Sequence, residues 1–391
     1  MKKKQLNVFY GILYFVMIFS FVRTRTLEDF PDILKKIYNY TALFSSLMII
    51  FASVIQMYSF KNLKKILSII IFFIMYIFIT IVTDFNSISS TINCIFIASY
   101  AIFVNQKLNT NLNGILKFMA YFYTFITLLN NILILIFPDG FYSSNVSYHK
   151  GHLLGDDNAI IYVALPAMIL LSIYSYYKYK KITKFTWFNI LFCEFIFIKL
   201  WAASAVVSFA IFIILLILFS LNISFSPKKI FFGLAIFLAV LFLGLNNEIF
   251  NNFITNVLHK DITFTGRTYL WAHAFELISM RPILGYGGYF VAGRSPLFGR
   301  LYPVHTTYLQ VLVDGGVILF VLFVYMLYSA ISKVAKFKKS RYSNILISGL
   351  LAMCISFAFE QAGLYHFVII LTLCYNIDLL VKDEGDIDYG Y

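Results

Sequence analysis

Runs of roughly 18 to 22 apolar residues recur along this entire chain, each long enough to cross a hydrocarbon layer of roughly 30 Å as a helix. One such run could be a signal segment or a buried core helix. About a dozen of them define an all-α, polytopic integral membrane protein. Composition agrees: 61% of the 391 residues are apolar and 13% charged, about half the charge fraction of a soluble domain. We expect twelve spans, near residues 7–22, 41–59, 66–83, 88–105, 115–137, 159–177, 185–200, 203–222, 229–245, 306–330, 345–361 and 365–381, forming one membrane domain over 1–391. The seventh and eighth are separated only by the polar break at 199–204. The first run follows three lysines and is not followed by a small-residue cleavage site, so it reads as a retained helix.

The four cysteines, Cys94, Cys193, Cys354 and Cys374, lie inside apolar runs with no CxxC pair. They read as packing residues rather than as a metal knuckle or a disulfide frame. The net charge of +13 does not point to nucleic acid, because the basic clusters sit in short connections between apolar runs, where they orient helices and meet anionic headgroups.

If the N-terminus is cytoplasmic and sides alternate, 20 of the 31 basic residues fall inside, the expected bias. An even span count returns the C-terminus to the cytoplasm. Residue type separates more sharply: 19 of 24 lysines fall inside, while six of seven arginines (Arg23, Arg25, Arg267, Arg281, Arg294, Arg300) fall outside. All six histidines also lie outside or at an outer helix end. Topology accounts for inner lysine but not for outer arginine and histidine. Arginine suits bidentate phosphate recognition and histidine suits proton transfer, so the outer face reads as the working face. Two long outer connections are expected there, 138–158 and the 59-residue stretch 246–304.

Within the larger loop, residues 265–280 have helical periodicity. Trp271, Ala274, Phe275 and Ile278 form an apolar face, with Tyr269, His273 and Glu276 on another. The expectation is an amphipathic helix lying on the bilayer, with His273 and Glu276 solvated. Arg267 is different: a cation at a helix start opposes the helix dipole, which suggests an anion to hold. The PILGYGGY stretch at 282–289 carries glycines, including Gly285 and Gly287, that permit a tight turn and close approach to a ligand. It follows no strand, so a nucleotide fingerprint is unsupported. His305 stands near an expected helix N-terminus, where the dipole favours the neutral imidazole that a general base needs. No Asp or His cluster has metal-ligand spacing. Asp156 and Asp157 read as a helix N-cap. Glu194 should face the protein interior, with Lys199 as the candidate partner.

The ordered set GR…W…A…I…RPILGYG…HxxYLQ…GG over roughly 265–320 resembles the O-antigen ligase/polymerase superfamily, the Wzy-type polymerases and related ligases. The GDDN stretch ending at Asn158 is similar to that family's Asn-containing segment. Where the family often has Ser-Arg at an outer helix start, this chain has Ala203, Ser204 and Ala205.

The resemblance implies glycosyl transfer without a metal or cofactor. The donor is a glycan on undecaprenyl diphosphate, and the acceptor is a lipid-linked repeat unit of O-antigen, capsule or exopolysaccharide. His305 is then the base and Arg267 the cation that neutralises the leaving diphosphate. Arg281, Arg294, Arg300, Asn158, Tyr308, Gly285 and Gly287 are further candidate substrate contacts. The partners implied are the lipid-linked oligosaccharide, the bilayer of the bacterial cell membrane, and flippase and chain-length regulator proteins; nucleic acid is not among them. A ligase would use the same residues. A flippase should carry its charges inside the bundle and lack the large loop, and a non-enzymatic assembly or sensor protein needs no outer arginine set.

Overall fold

The computed structural model describes residues 32–55, 60–83, 88–140, 151–221, 226–243, 267–288, 295–297, 300–302, 304–361 and 364–384. These residues are helical apart from one small hairpin and the connecting turns. The helices are α1 (Asp32–Ile55), α2 (Phe60–Lys65), α3 (Leu67–Thr83), α4 (Ile88–Thr110) and α5 (Leu112–Ile136). They continue with α6 (Ile161–Tyr179), α7 (Lys184–Leu200), α8 (Ala203–Ser220), α9 (Pro227–Leu243) and α10 (Arg267–Met280). The hairpin β1 (Ser295–Leu297) and β2 (Arg300–Tyr302) is antiparallel, with Pro296 opposite Leu301. The chain then forms α11 (Thr307–Ala335), α12 (Arg341–Phe359), α13 (Leu364–Tyr375) and α14 (Ile377–Val381).

Among the described residues, six helices (α4, α5, α6, α8, α11 and α12) are long and apolar enough to cross a membrane, with α3 and α13 as shorter apolar helices. The expected first span, 7–22, lies outside the described residues. The weak division between the seventh and eighth expected spans is a helix break: Trp201 ends α7 in the left-handed region at φ 58°, and the Ala202 amide donates back to the Phe197 carbonyl at 3.1 Å. One exposed residue in that conformation is enough to reverse the chain.

The helices sort into an enclosed set and a peripheral set. Every residue of α13 is buried, and α6 and α12 present apolar side chains on all sides to the interior. Such helices are surrounded by protein. By contrast α1, α7 and α9 leave Phe44, Phe51, Phe188, Phe195 and Phe232 exposed, an apolar exterior suited to lipid. All four cysteines are buried and unpaired by disulfide.

Polar groups gather at the two ends of α11. At its C-terminal end, Lys65 pairs with Asp378 at 2.8 Å. There the Asn376 amide also donates to Asn105 Oδ1 at 2.7 Å and accepts from Asn109 at 3.2 Å. From Thr307 to Lys333 the helix rises about 40 Å at about 1.5 Å per residue, so the two polar layers stand apart by a membrane-like thickness.

Glu194 on α7 is half-buried, with one carboxylate oxygen in the interior. It makes no ion pair with Lys199 among the described residues.

Candidate active site

The expected loop helix is present as α10, but it is docked on protein rather than laid flat. Leu270, Trp271, Ala274 and Leu277 are buried and pack with Val304, Leu309 and Val313 of the α11 segment. Phe275, expected on the apolar face, is 44% exposed. The buried stripe is rotated toward Leu270 and Leu277, because the partner surface is the side of α11. Among the described residues His273 and Glu276 pair with each other, at 3.5 Å on the accessible face, which fits the solvated reading.

The glycine-rich turn after α10 has a specific mate. Helix α11 is broken at Gly316 (φ 60°, ψ −163°), and that break frees backbone groups which the turn satisfies. The Tyr286 amide donates to the Val313 carbonyl at 3.0 Å, and Gly287 to Asp314 at 2.8 Å. In return Val317 donates to Pro282 at 2.8 Å. A buried helix break must find such partners. Gly285 (φ 63°) and Gly287 (φ 86°) adopt left-handed backbone to reach them. A Cβ on Gly285 would stand 2.5 Å from the Val313 carbonyl oxygen. These glycines therefore serve backbone-to-backbone docking. Asp314 itself is buried, accepting from Tyr76 of α3 at 2.5 Å and from Gln310 at 2.7 Å.

That docking fixes where Arg267, the first residue of α10, emerges. Its guanidinium pairs with Glu360 Oε1, just beyond the C-terminus of α12. The other oxygen of Glu360 lies 3.3 Å from His305 Nδ1. The Glu360 side chain is 7% exposed, Arg267 18% and His305 25%, so the carboxylate is enclosed while the cation and the imidazole keep an accessible edge. His305 is held at φ 55°, a left-handed backbone costing a non-glycine residue about 1–2 kcal/mol. Such strain persists only where the surroundings enforce it. Here the following residues do so: Thr306 Oγ1 donates to the Phe357 carbonyl at 3.2 Å and Thr307 Oγ1 to that of Glu360 at 3.0 Å.

The segment ahead of α6 borders the same place. The buried Tyr162 hydroxyl lies beside Ser356 and within electrostatic reach of Glu360, Arg267 and Asp156. Neither aspartate is the expected N-cap: α6 starts after Ile160 with no side-chain capping bond, Asp156 accepts from the Ala159 amide at 3.0 Å in the turn ahead of the helix, and Asp157 pairs with buried His152 at 3.1 Å. Asn158 is half-buried in this turn.

The other candidates are dispersed. Tyr308 is buried and donates to the Cys354 carbonyl at 2.8 Å, so its hydroxyl ties α11 to α12. Arg281 is exposed, with its guanidinium 4.7 Å from the Tyr286 ring centre. Arg300 begins β2, though its side chain, like Arg23, Arg25 and Arg294, lies outside the described residues. His366 stands in the first turn of α13, buried and bonded to Tyr123 at 3.1 Å. No group of three or more His, Cys, Asp or Glu side chains able to hold a metal occurs among the described residues.

Glu360 is the residue that sequence reasoning missed. The signal was available: a carboxylate at the end of the apolar stretch 345–361 is costly without a cationic partner. What the stretch does not disclose is that the partners come from 93 and 55 positions away.

An apolar helical bundle carrying an Arg–Glu–His cluster at one end of its enclosed helices defines a helical membrane protein with a polar site. Residues 158–324 match the family model described as O-Antigen ligase, a match that supports membership of the O-antigen ligase/polymerase superfamily. Members of that family are glycosyltransferase-like ligases and polymerases, so an enzymatic role is supported. Neither the comparison with curated proteins nor that with solved structures gave a match. Arg267 and His305 fall inside the matched segment; Glu360 falls beyond it.

Proposed function

We propose that the protein polymerises undecaprenyl-diphosphate-linked oligosaccharide repeat units by metal-independent glycosyl transfer at the outer face of the bacterial cell membrane. The observation that carries this reading is the meeting of Arg267 and His305 on a shared, enclosed carboxylate. In the reaction, an acceptor sugar hydroxyl attacks the anomeric carbon of the donor glycan. The bond from that carbon to the diphosphate oxygen breaks, and the diphosphate leaves with the electron pair. His305 takes the hydroxyl proton at Nε2. Arg267, whose guanidinium has five N–H donors, uses those not directed at Glu360 to neutralise the leaving diphosphate. Arg294 and Arg300 are proposed as the accompanying cations, and Asn158 as a contact to the sugar.

The orientation follows from charge. The α6–α7 connection, with Lys178, Lys180, Lys181 and Lys184, and the C-terminal end of α11, with Lys333, Lys336, Lys338 and Lys339, are proposed to face the cytoplasm. The Arg267 site is then proposed to face out, and the chain to make twelve spans with both termini inside. Transfer of finished glycan to a different acceptor is the second reading, favoured by the match to the O-Antigen ligase family model. Changing His305→Ala in a strain that makes the polymer distinguishes these readings. We expect unchanged membrane abundance, with lipid-linked single repeats accumulating and no longer chains. Normal long chains would remove the base role, and accumulation of long lipid-linked chains would identify a ligase.

A further inference from the structure

We propose that Glu360 is a positioning residue for the transfer reaction, setting the tautomer of His305 and steadying Arg267 beside it. The inference rests on the reading of His305 as base. An ionised carboxylate can only accept hydrogen bonds, so in the 3.3 Å contact with Glu360 the hydrogen belongs to Nδ1 of His305. A neutral imidazole protonated at Nδ1 carries its lone pair on Nε2, the nitrogen free of this contact. The second carboxylate oxygen is occupied by the Arg267 guanidinium. With both oxygens engaged, the carboxylate is fixed in orientation as well as in charge. Among the described residues, Tyr162 of α6 lies within electrostatic reach of Glu360 and Arg267, and Asp156, ahead of that helix, within reach of Tyr162.

The backbone around Glu360 is held independently of its side chain. Its amide donates to the Ser356 carbonyl at 3.0 Å, and its own carbonyl accepts from Thr307 Oγ1 at 3.0 Å. Replacing the carboxylate with an amide therefore leaves the chain path supported. It does remove the tautomer bias, because a glutamine amide can meet Nδ1 with either its oxygen or its NH₂ group.

The test uses the full chain in lipid nanodiscs with nitrogen-15 histidine. The His305 ring-nitrogen resonances are assigned by difference from His305→Gln, at a pH where the imidazole is neutral. The wild-type protein should show the Nδ1–H tautomer. In Glu360→Gln that preference should be lost, and kcat should fall about a hundredfold or more, as when the acid behind a catalytic histidine is amidated. KM for the lipid-linked donor should change by less than about threefold, since the effect lies in the transition state. Glu360→Asp should keep the Nδ1–H tautomer and recover part of the rate. A wild-type His305 in the Nε2–H form overturns the proposal without any variant, so the test survives a Glu360→Gln protein that does not fold. An unmoved tautomer in folded Glu360→Gln overturns it equally. A tautomer that switches while kcat is unchanged overturns the base role of His305 instead and leaves the link between the two residues standing.

Discussion

A Cβ built on Gly316 would stand 2.3 Å from both the carbonyl carbon and the carbonyl oxygen of Ile283. The loop that follows α10 is pressed against the break in α11 so closely that only glycine fits between them. Through this contact the loop and the long helix exchange backbone hydrogen bonds, and Arg267 is set in place one helix length away.

Gly316→Ala is therefore expected to act at a distance. The φ of 60° and ψ of −163° lie in a region costing a non-glycine residue about 1–3 kcal/mol, and the overlap with Ile283 adds to that. We expect a lower thermal midpoint in detergent and loss of chain extension, although the residue is outside the Arg–Glu–His cluster. A variant with wild-type midpoint and wild-type polymer would show that the docking of the loop is dispensable.

Arg267→Lys should impair activity severely although the charge is kept. The guanidinium engages Glu360 and is proposed to engage a diphosphate with its other donors, which an ammonium on a flexible stem cannot reproduce. Loss of one charge-assisted bond is worth about 1.5–3 kcal/mol, so transfer should fall roughly ten- to hundredfold. Lys338→Arg, at an exposed position between α11 and α12, is the control and should be silent. Equal tolerance at both positions, measured as polymer yield per unit of membrane protein, would remove Arg267 from the site.

Orientation can be read by labelling. The four native cysteines are buried, whereas Ser279 at the end of α10 and Lys338 are both exposed. In intact cells, Ser279→Cys should react with a membrane-impermeant maleimide, and Lys338→Cys only after the membrane is opened. The reverse pattern would place the Arg–Glu–His cluster in the cytoplasm and end the proposed reaction with it.

Because fixed arginine charge is proposed to stabilise the leaving diphosphate, activity in purified membranes should withstand EDTA. Inhibition by the chelator, reversed by adding one divalent cation, would show that the charge is supplied by a metal.

What the sequence determined by itself is what apolar length and local backbone chemistry dictate. Each long apolar run has one means of satisfying its backbone, so the helices α4, α5, α6, α8, α11 and α12 follow from hydrophobicity alone. The break after Leu200 was legible from a few polar residues, and the candidates Arg267 and His305 from residue type and motif. The apolar face of α10 was legible only in part: periodicity gave the stripe around Trp271 and Ala274, while the partner surface on α11 decided that Phe275 stays outside. The pairing of Arg267 and His305 with Glu360 was settled by tertiary structure alone. It depends on three helix ends meeting, and the encounter is set by the packing of α10 on α11 and of α11 on α12, which no local pattern encodes. The same holds for Gly285 and Gly287. Locally they are flexible positions open to any close approach; in the fold that approach is the backbone of a broken helix, because a break at Gly316 leaves buried amide and carbonyl groups that must be paired.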